Sequence, residues 1–342
     1  MDNVSATNTT KVTSKKGFSR FWSTNSGRLF AVVVLLFIIY IGAGPSYFTS
    51  RNLINVLRVA SMNSLIAFGM TFVIISGGID LSVGSLVAVA GTYCAAVIMM
   101  TGSFILGLFA GILTATVLGL LSGFITSRTR IPPFITTLAM MQIARGLAYL
   151  YSEGKPIRLP NEFGEYGNGS LFNIIPYPII LMAIAMVVLS ILLYRTRFGR
   201  SLYATGGNVE AARYAGINVK NTVLLVYLIS GILAGINGVV WASRLYSGQP
   251  TQGINFEVDA IAAAIVGGVS MAGGLGTIFG TFMGALIIQI LTSGLNFMNV
   301  PFYFQYIFKG IVIVIAVFVD LNRDQFSIFI KFLARRKKTI QA

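Results

Sequence analysis

The chain has little of what a water-soluble enzyme needs. Of its 342 residues only 10% are charged, none is histidine and one is cysteine, Cys94, which lies inside an apolar run. Soluble domains carry about 25% charged residues, so these few charges cannot cover a water-facing surface. A lone cysteine excludes an internal disulfide. Without histidine or a cysteine–acid cluster, we expect no transition-metal site, no cofactor and no catalytic nucleophile–base pair.

What the sequence does contain is long apolar runs. Hydrophobic residues make up 55% of the chain, and the mean hydropathy is +0.80. A membrane-spanning helix needs about 20 mostly apolar residues, and these runs lack the alternation of barrel strands. The sequence therefore predicts an all-α, polytopic transmembrane helical bundle of about ten spans. The predicted spans are 29–43, 52–75, 86–100, 104–126, 133–151, 174–194, 222–243, 258–270, 276–296 and 303–319.

The charge distribution predicts an orientation. The formal net charge is +15, but Lys and Arg collect beside the predicted spans, which is typical of membrane topology and does not indicate a nucleic-acid partner. Ten spans place both tails and the loop 195–220 on the basic side, so both termini are expected in the cytoplasm. We divide the chain into a cytoplasmic tail at 1–28, a transmembrane domain at 29–320 and a basic cytoplasmic tail at 321–342. The acids expected on the opposite side are Glu153, Glu162, Glu165, Glu257 and Asp259.

A small polar stretch, SGGIDLSVGS at 76–85, interrupts two apolar runs and carries one acid, Asp80. A charge at membrane depth is costly and usually lines a cavity or a polar path. Two interpretations stay open. Asp80, with Ser82 and Ser85, caps the helix that begins near residue 81, or it contacts a solute or a gate.

Two further features leave alternatives open. Gly77-Gly78 and Gly267-Gly268 each end an apolar run, and this register places Gly84 opposite Gly274. The pattern indicates duplicated halves with broken helices, or it is a chance recurrence. Arg145, inside the fifth predicted span, is a buried charge or reaches toward the membrane interface.

The loop 195–220 contains EAARYAG at 210–216, which predicts a short helix ended by a glycine. In the main cytoplasmic loop this helix is a candidate docking element. The chain has no GxxxxGK[ST] sequence, so it carries no P-loop for ATP. If transport is driven by ATP, the ATPase is another subunit.

Three segments together resemble the ribose-type permease subunits of bacterial ABC importers: GGIDLSVGS at 77–85, TRFGRSLYATGGN at 196–208 and DAIAAAIVGG at 259–268. The resemblance covers about 45–322 in the same order. It implies an inner-membrane subunit that forms the path for a monosaccharide such as ribose. It also implies a cytoplasmic ATP-binding subunit, a second permease subunit, expected to be an identical copy, and an extracytoplasmic sugar-binding protein.

The resemblance also assigns candidate residues. The loop that couples to the ATPase is expected to include Arg197, Gly199, Arg200, Glu210, Ala211, Ala212 and Gly216. A neutral, hydroxyl-rich sugar needs scattered polar groups along its path, and Gln289 is one such group. The candidate residues for the path or its gate are Asn63, Ser64, Asp80, Ser82, Ser85, Gln142, Ser270 and Asn296. The alternative function is a stand-alone secondary transporter or channel for a small polar solute, with Asp80 as an ion or proton site.

Overall fold

The computed structural model describes residues 25–321, and most of the tails predicted at 1–28 and 321–342 lies outside them. The described part contains 13 α-helices. In the first half these are α1 Asn25–Ala43, α2 Ser50–Ile75, α3 Val83–Thr101, α4 Phe104–Arg128, α5 Pro133–Ser152 and α6 Glu165–Asn168. In the second half they are α7 Tyr177–Arg195, α8 Arg197–Gly207, α9 Val209–Tyr214, α10 Val219–Arg244, α11 Phe256–Val266, α12 Ile278–Phe297 and α13 Phe302–Leu321.

The loops also hold a little sheet, which the all-α prediction did not include. Strand β1 (Ile157–Arg158) pairs antiparallel with β4 (Ser247–Gly248). Strands β2 (Ser170–Leu171) and β3 (Ile175–Pro176) form a small hairpin. These short pairings order the polar loop after α5 and join it to the segment that follows α10.

Within residues 25–321, six helices are long and apolar enough to cross a membrane: α2, α3, α4, α7, α10 and α12. Helices α1 and α13 contain shorter apolar stretches, 32–43 and 302–318. This confirms a polytopic helical bundle. The count of about ten spans and the cytoplasmic position of both termini are not confirmed by these helices.

Helices α2 and α3 form the centre of the bundle. In the most apolar 18-residue stretch of each helix, 83% of the α2 residues and 78% of the α3 residues are buried. The corresponding fractions in α4 and α7 are only 28% and 22%. A helix that is apolar on all sides belongs in an interior or in lipid. Close approach of α4 to α10 depends on small residues: a Cβ on Gly119 would lie 2.8 Å from the Gly231 Cα. This packing fixes α10 beside the centre of the bundle.

Helix α11 is too short to be the spanning helix predicted at 258–270. Its 11 residues extend about 16 Å, against a hydrocarbon thickness of about 30 Å. Residues 245–255 precede it and run back along α3. A Cβ on Gly248 would lie 2.9 Å from the Thr92 Cα, and one on Gly253 would lie 3.2 Å from the Gly84 Cα. The interval from Thr92 to Gly84 is about 12 Å along the helix, so this descending segment (245–255) enters the bundle before α11 begins.

Candidate functional site

The two glycine-containing breaks in the bundle have the same turn. At the end of α2, Gly77 has φ +85° and the Gly78 N–H donates to the Val73 carbonyl at 3.0 Å. At the end of α11, Gly268 has φ +88° and the Val269 N–H donates to the Ala264 carbonyl at 2.9 Å. Both are glycine C-caps that satisfy the last carbonyls of a helix. Gly77 therefore corresponds to Gly268, not to Gly267. The predicted register, which places Gly84 opposite Gly274, is wrong by one residue.

Asp80 lies in the first break and is almost fully buried, with 1% of its surface exposed. Its Oδ1 accepts from the Ser82 N–H at 2.9 Å and the Ser82 hydroxyl at 2.6 Å, and its Oδ2 accepts from the Ser230 hydroxyl at 2.8 Å. Ser82 is the N-cap residue of α3. The carboxylate therefore joins the N-cap residue of α3 to α10. Among the described residues, no side chain accepts from the N–H groups in the first turn of α3, so Asp80 has a structural role there without being the helix cap expected from the sequence.

The two breaks meet at helix α8. The Gly274 N–H donates to the Ile75 carbonyl at 2.9 Å, and the Tyr203 hydroxyl donates to the Gly276 carbonyl at 2.7 Å. Gly206 approaches so closely that a Cβ there would lie 2.6 Å from the Gly274 nitrogen. Burial raises the pKa of Tyr203, so its hydroxyl keeps the proton that it donates. We call these five residues the break junction.

A polar cavity of about 500 Å³ lies at the far end of α2 from the break junction. It is formed by the first turns of α2, the last turns of α12, and parts of α10, α11 and α13. Amide side chains dominate its polar lining: Asn52, Asn55, Asn63, Gln289 and Asn296. Amides donate and accept hydrogen bonds without carrying charge, so this lining suits a neutral, polar solute.

An ion pair forms one wall of the cavity. Both carboxylate oxygens of Asp259 accept from the Lys309 Nζ, at 2.9 and 3.0 Å. The two side chains are 19% and 17% exposed, respectively. The pair joins the first turn of α11 to the middle of α13. Asp259 was expected on an outer loop, but the structure places it inside the bundle because the descending segment carries α11 inward.

Arg145 holds the descending segment against α5. Its Nη1 donates to the carbonyls of Pro250 at 2.6 Å and Gln252 at 2.8 Å. The guanidinium therefore satisfies backbone carbonyls in a stretch that has few ladder partners. Of the two interpretations left open by the sequence, the structure favours a partly buried charge with an internal partner.

The predicted path residues fall in four places. Asn63 and Asn296 line the polar cavity, whereas Gln142 is exposed on the outside of α5. The Ser64 hydroxyl donates within α2, to the Ala60 carbonyl. The remaining four lie at the breaks or the adjoining helix start: Asp80, Ser82, Ser85 and Ser270. Ser270 donates to the Asp320 carboxylate at 3.3 Å, which joins the second break to the end of α13.

Most lining residues of the cavity were not among the predicted path residues, and three of them matter most here: Trp241, Asp259 as a wall residue, and Lys309. Lys309 could have been found, because a lone lysine inside an apolar helix marks a functional position. The polar first turns of α2 also gave a signal for Asn52 and Asn55. Nothing in the local sequence distinguishes Trp241 from a residue that faces lipid.

The predicted coupling loop forms two helices, α8 and α9. The Thr196 hydroxyl accepts from the Gly199 N–H and caps α8, and the Asn208 side chain accepts from the Ala211 N–H and caps α9. Gly216 has φ +79°, and the Ile217 N–H donates to the Ala212 carbonyl at 3.0 Å, which ends α9 as the sequence predicts. Among the coupling candidates Arg197, Arg200, Glu210 and Ala211 are exposed, as is Gly216, whereas Gly199 and Ala212 are buried.

Comparison with known proteins finds relatives along nearly the whole chain. A family model described as "Branched-chain amino acid transport system / permease component" matches residues 52–317. The ribose import permease protein of Escherichia coli strain K12 is 39% identical over 322 residues, which are 93% of this chain and 99% of that protein. The ribose import permease protein of Bacillus subtilis strain 168 is 43% identical over 299 residues, 86% of this chain and 91% of that one.

A third relative is the L-arabinose transport system permease protein of Escherichia coli strain K12, 37% identical over 326 residues, 95% of this chain and 98% of that one. No solved structure matches the chain. With six apolar helices of spanning length in the part of the chain that the structure describes, the chain is a multi-pass inner-membrane protein. The match over most of its length shows that it belongs to the family of transport-system permease components.

Proposed function

We propose that this chain is the membrane-spanning subunit of an ABC importer for a neutral monosaccharide of the ribose type. The polar cavity is the observation that carries this proposal, because its amides and its compensated ion pair suit a solute with hydroxyl groups and no net charge. The named relatives are ribose and arabinose permeases. With no P-loop in the sequence, the energy comes from a separate ATP-binding subunit, and an extracytoplasmic sugar-binding protein delivers the solute.

We infer ten crossings, with both termini in the cytoplasm. Nine are single helices: the six long apolar ones together with α1, α5 and α13. The tenth is composite, since the descending segment and α11 together cover the depth that α11 alone cannot. An even number of crossings keeps the basic tails and the α8–α9 region on one side, in agreement with the positive-inside rule.

In this topology the polar cavity is the extracytoplasmic part of the path. The cavity lies at the N-terminal end of α2 and the break junction at its C-terminal end. A solute that enters from the binding protein first meets the cavity, which Asn63 and Asn296 line. It then passes toward the breaks, where Asp80, Ser82, Ser85 and Ser270 hold the helix ends that would have to part. In this proposal the two breaks form the gate, and the polar cavity forms the outer part of the path.

We propose that two identical copies form the complete path. The outward faces of α4 and α7 are largely exposed in the single chain and supply surface for a second copy and for lipid. Gln142 is exposed on the neighbouring helix α5. An amide in contact with hydrocarbon is costly, so a subunit interface is a better environment for it than lipid.

Reconstitution tests the proposed class of transporter. The permease is placed in proteoliposomes with its ATP-binding subunit and its binding protein, and uptake of radiolabelled ribose and arabinose is measured. We expect uptake of at least one pentose only when ATP and both partners are present. Uptake by the permease alone, driven by an ion or proton gradient, would instead establish the stand-alone transporter.

Helix α9 is the proposed contact with the ATP-binding subunit, and Tyr214 at its end tests this. The Tyr214 side chain is 90% exposed, so Tyr214→Ser removes an aromatic contact without opening the core. We expect uptake to fall by about tenfold or more while the permease keeps its melting temperature, because exposed aromatic residues at interfaces often carry more than 1 kcal/mol of binding.

The matched control for that variant is Phe172→Ser, at an aromatic residue 83% exposed in the β2–β3 hairpin. ATP hydrolysis by the complex is followed alongside uptake, to separate failure to assemble from failure to couple. Normal uptake by Tyr214→Ser, or an equal loss in the Phe172→Ser control, would rule out α9 as the docking element.

A further inference from the structure

Trp241 brings an apolar ring to the wall of the polar cavity and carries an unpartnered donor. Its indole ring lies beside the Phe256 ring, with centroids 5.7 Å apart and planes at 45°. The indole Nε1 is buried and has no hydrogen-bond partner among the described residues. Buried donors are normally satisfied, and indole N–H can only donate. The side chain lines the cavity, so its ring can cover the C–H face of a bound solute.

The Asp259–Lys309 ion pair offers both kinds of hydrogen-bonding group at one point. The Lys309 Nζ contacts both oxygens of Asp259, at 2.9 and 3.0 Å. The carboxylate still has free lone pairs, and the ammonium still has protons to donate. Neighbouring hydroxyls on one sugar ring match this arrangement, since one can donate to the carboxylate while the next accepts from the ammonium.

The pair also disfavours a charged solute. Because the two charges are compensated by each other, the site has no fixed charge left for a free ammonium or carboxylate group. In the same lining, the Asn63 amide donates to the Gln289 side-chain carbonyl oxygen at 3.3 Å. The cavity of about 500 Å³ lies in the usual size range of small-molecule sites, roughly 300–1,000 Å³.

We propose that the polar cavity is a solute-recognition site of the permease itself, in which Trp241, Asp259, Lys309, Asn63 and Gln289 contact a neutral monosaccharide. The site selects vicinal hydroxyls and rejects amino acids. Its affinity is low, because a solute in transit must leave as readily as it enters. This inference rests on the proposed function and adds a second point of selection, after the binding protein.

Intrinsic fluorescence can report on this site directly. The sequence contains two tryptophans, Trp22 and Trp241, so Trp22→Phe leaves Trp241 as the single emitter. The full-length permease in detergent is titrated with ribose, arabinose and isoleucine at millimolar concentrations. We expect a saturable change in Trp241 emission with at least one pentose and none with isoleucine. Asp259→Asn in the same background should weaken the apparent affinity by about tenfold or more, because a hydrogen bond to a charged group is lost.

The matched control is Glu162→Gln, which neutralises an exposed acid on the loop after α5 and should leave the titration unchanged. Asp259→Asn with Lys309→Gln restores electrical neutrality, so a folding defect caused by a lone charge is distinguished from loss of recognition. No saturable change with either pentose, an equal change with isoleucine, or full retention in Asp259→Asn would overturn the proposal. If pentoses still cross in proteoliposomes, the proposed function stands without this site. If neither crosses, the proposed function fails.

Discussion

Gly206→Ala is expected to abolish uptake in the reconstituted importer. The new methyl group would collide with the Ile75 carbonyl oxygen and lie 2.6 Å from the Gly274 nitrogen. Those two atoms make the hydrogen bond that joins the breaks, and backbone cannot move aside as a flexible side chain can. Overpacking of this kind costs about 1–3 kcal/mol. Here the overpacking disrupts the contact between α8 and the two breaks, and the rest of the bundle is unchanged. We therefore expect transport to be lost while the bundle stays folded.

Gly207→Ala is the matched control, because a Cβ at the next position would meet nothing within 4 Å. Both variants are compared for ribose and arabinose uptake, ATP hydrolysis and melting temperature in detergent. Gly206→Ala should hydrolyse ATP without moving solute, whereas Gly207→Ala should do both. Equal uptake by the two variants would show that the break junction does not transmit motion.

Asp80→Ala is expected to destabilise the permease by about 3 kcal/mol or more. The substitution leaves the Ser82 N–H and the hydroxyls of Ser82 and Ser230 without the acceptor that they share. A buried polar group that loses its hydrogen-bond partner costs about 1–3 kcal/mol. Here one substitution removes the partner of three donor groups. Denaturant unfolding in detergent, followed by circular dichroism, measures the loss, and uptake should fall with it.

Ser122→Ala serves as the control, because the Ser122 hydroxyl is buried without a hydrogen-bond partner among the described residues and its removal should cost little. Asp80→Asn separates the two roles of the acid. It keeps the shape and one acceptor oxygen, so the contacts to Ser82 should be partly retained. An Asp80→Asn permease that folds normally but has lost all transport would contradict a purely structural role and favour a proton site.

Much of the bundle could be predicted because the residues that determine where its helices begin and end are local in sequence. Apolar runs, the prolines at the start of α5 and the glycine after α9 fix helix limits through neighbouring residues alone. The glycine pairs also located both breaks. Their register was wrong because only the glycine with positive φ matters. It is the first of the pair at Gly77 and the second at Gly268, so alignment on the dipeptide shifts the comparison by one residue.

The polar cavity could not be predicted in the same way, since its walls come from α2, α10, α11, α12 and α13. Side chains as distant in sequence as Asn52 and Lys309 meet there only through tertiary packing. Asp259 was assigned to an outer loop because the polar stretch before it is typical of one. The sequence carries no sign that this stretch turns inward along α3 and delivers the acid to the interior.

The ion pair between α11 and α13 has a consequence for the voltage across the membrane. An unpaired charge that moves through the membrane potential does work of about 2.3 kcal/mol per 100 mV. Asp259 and Lys309 are held to each other at 2.9 Å, so a displacement that carries the pair as a unit transports no net charge. Such a motion proceeds at the same energy in a fully energised cell and in a depolarised one. If the solute is the neutral sugar proposed above, it adds no charge of its own, and this pair gives the electric field no net charge on which to act.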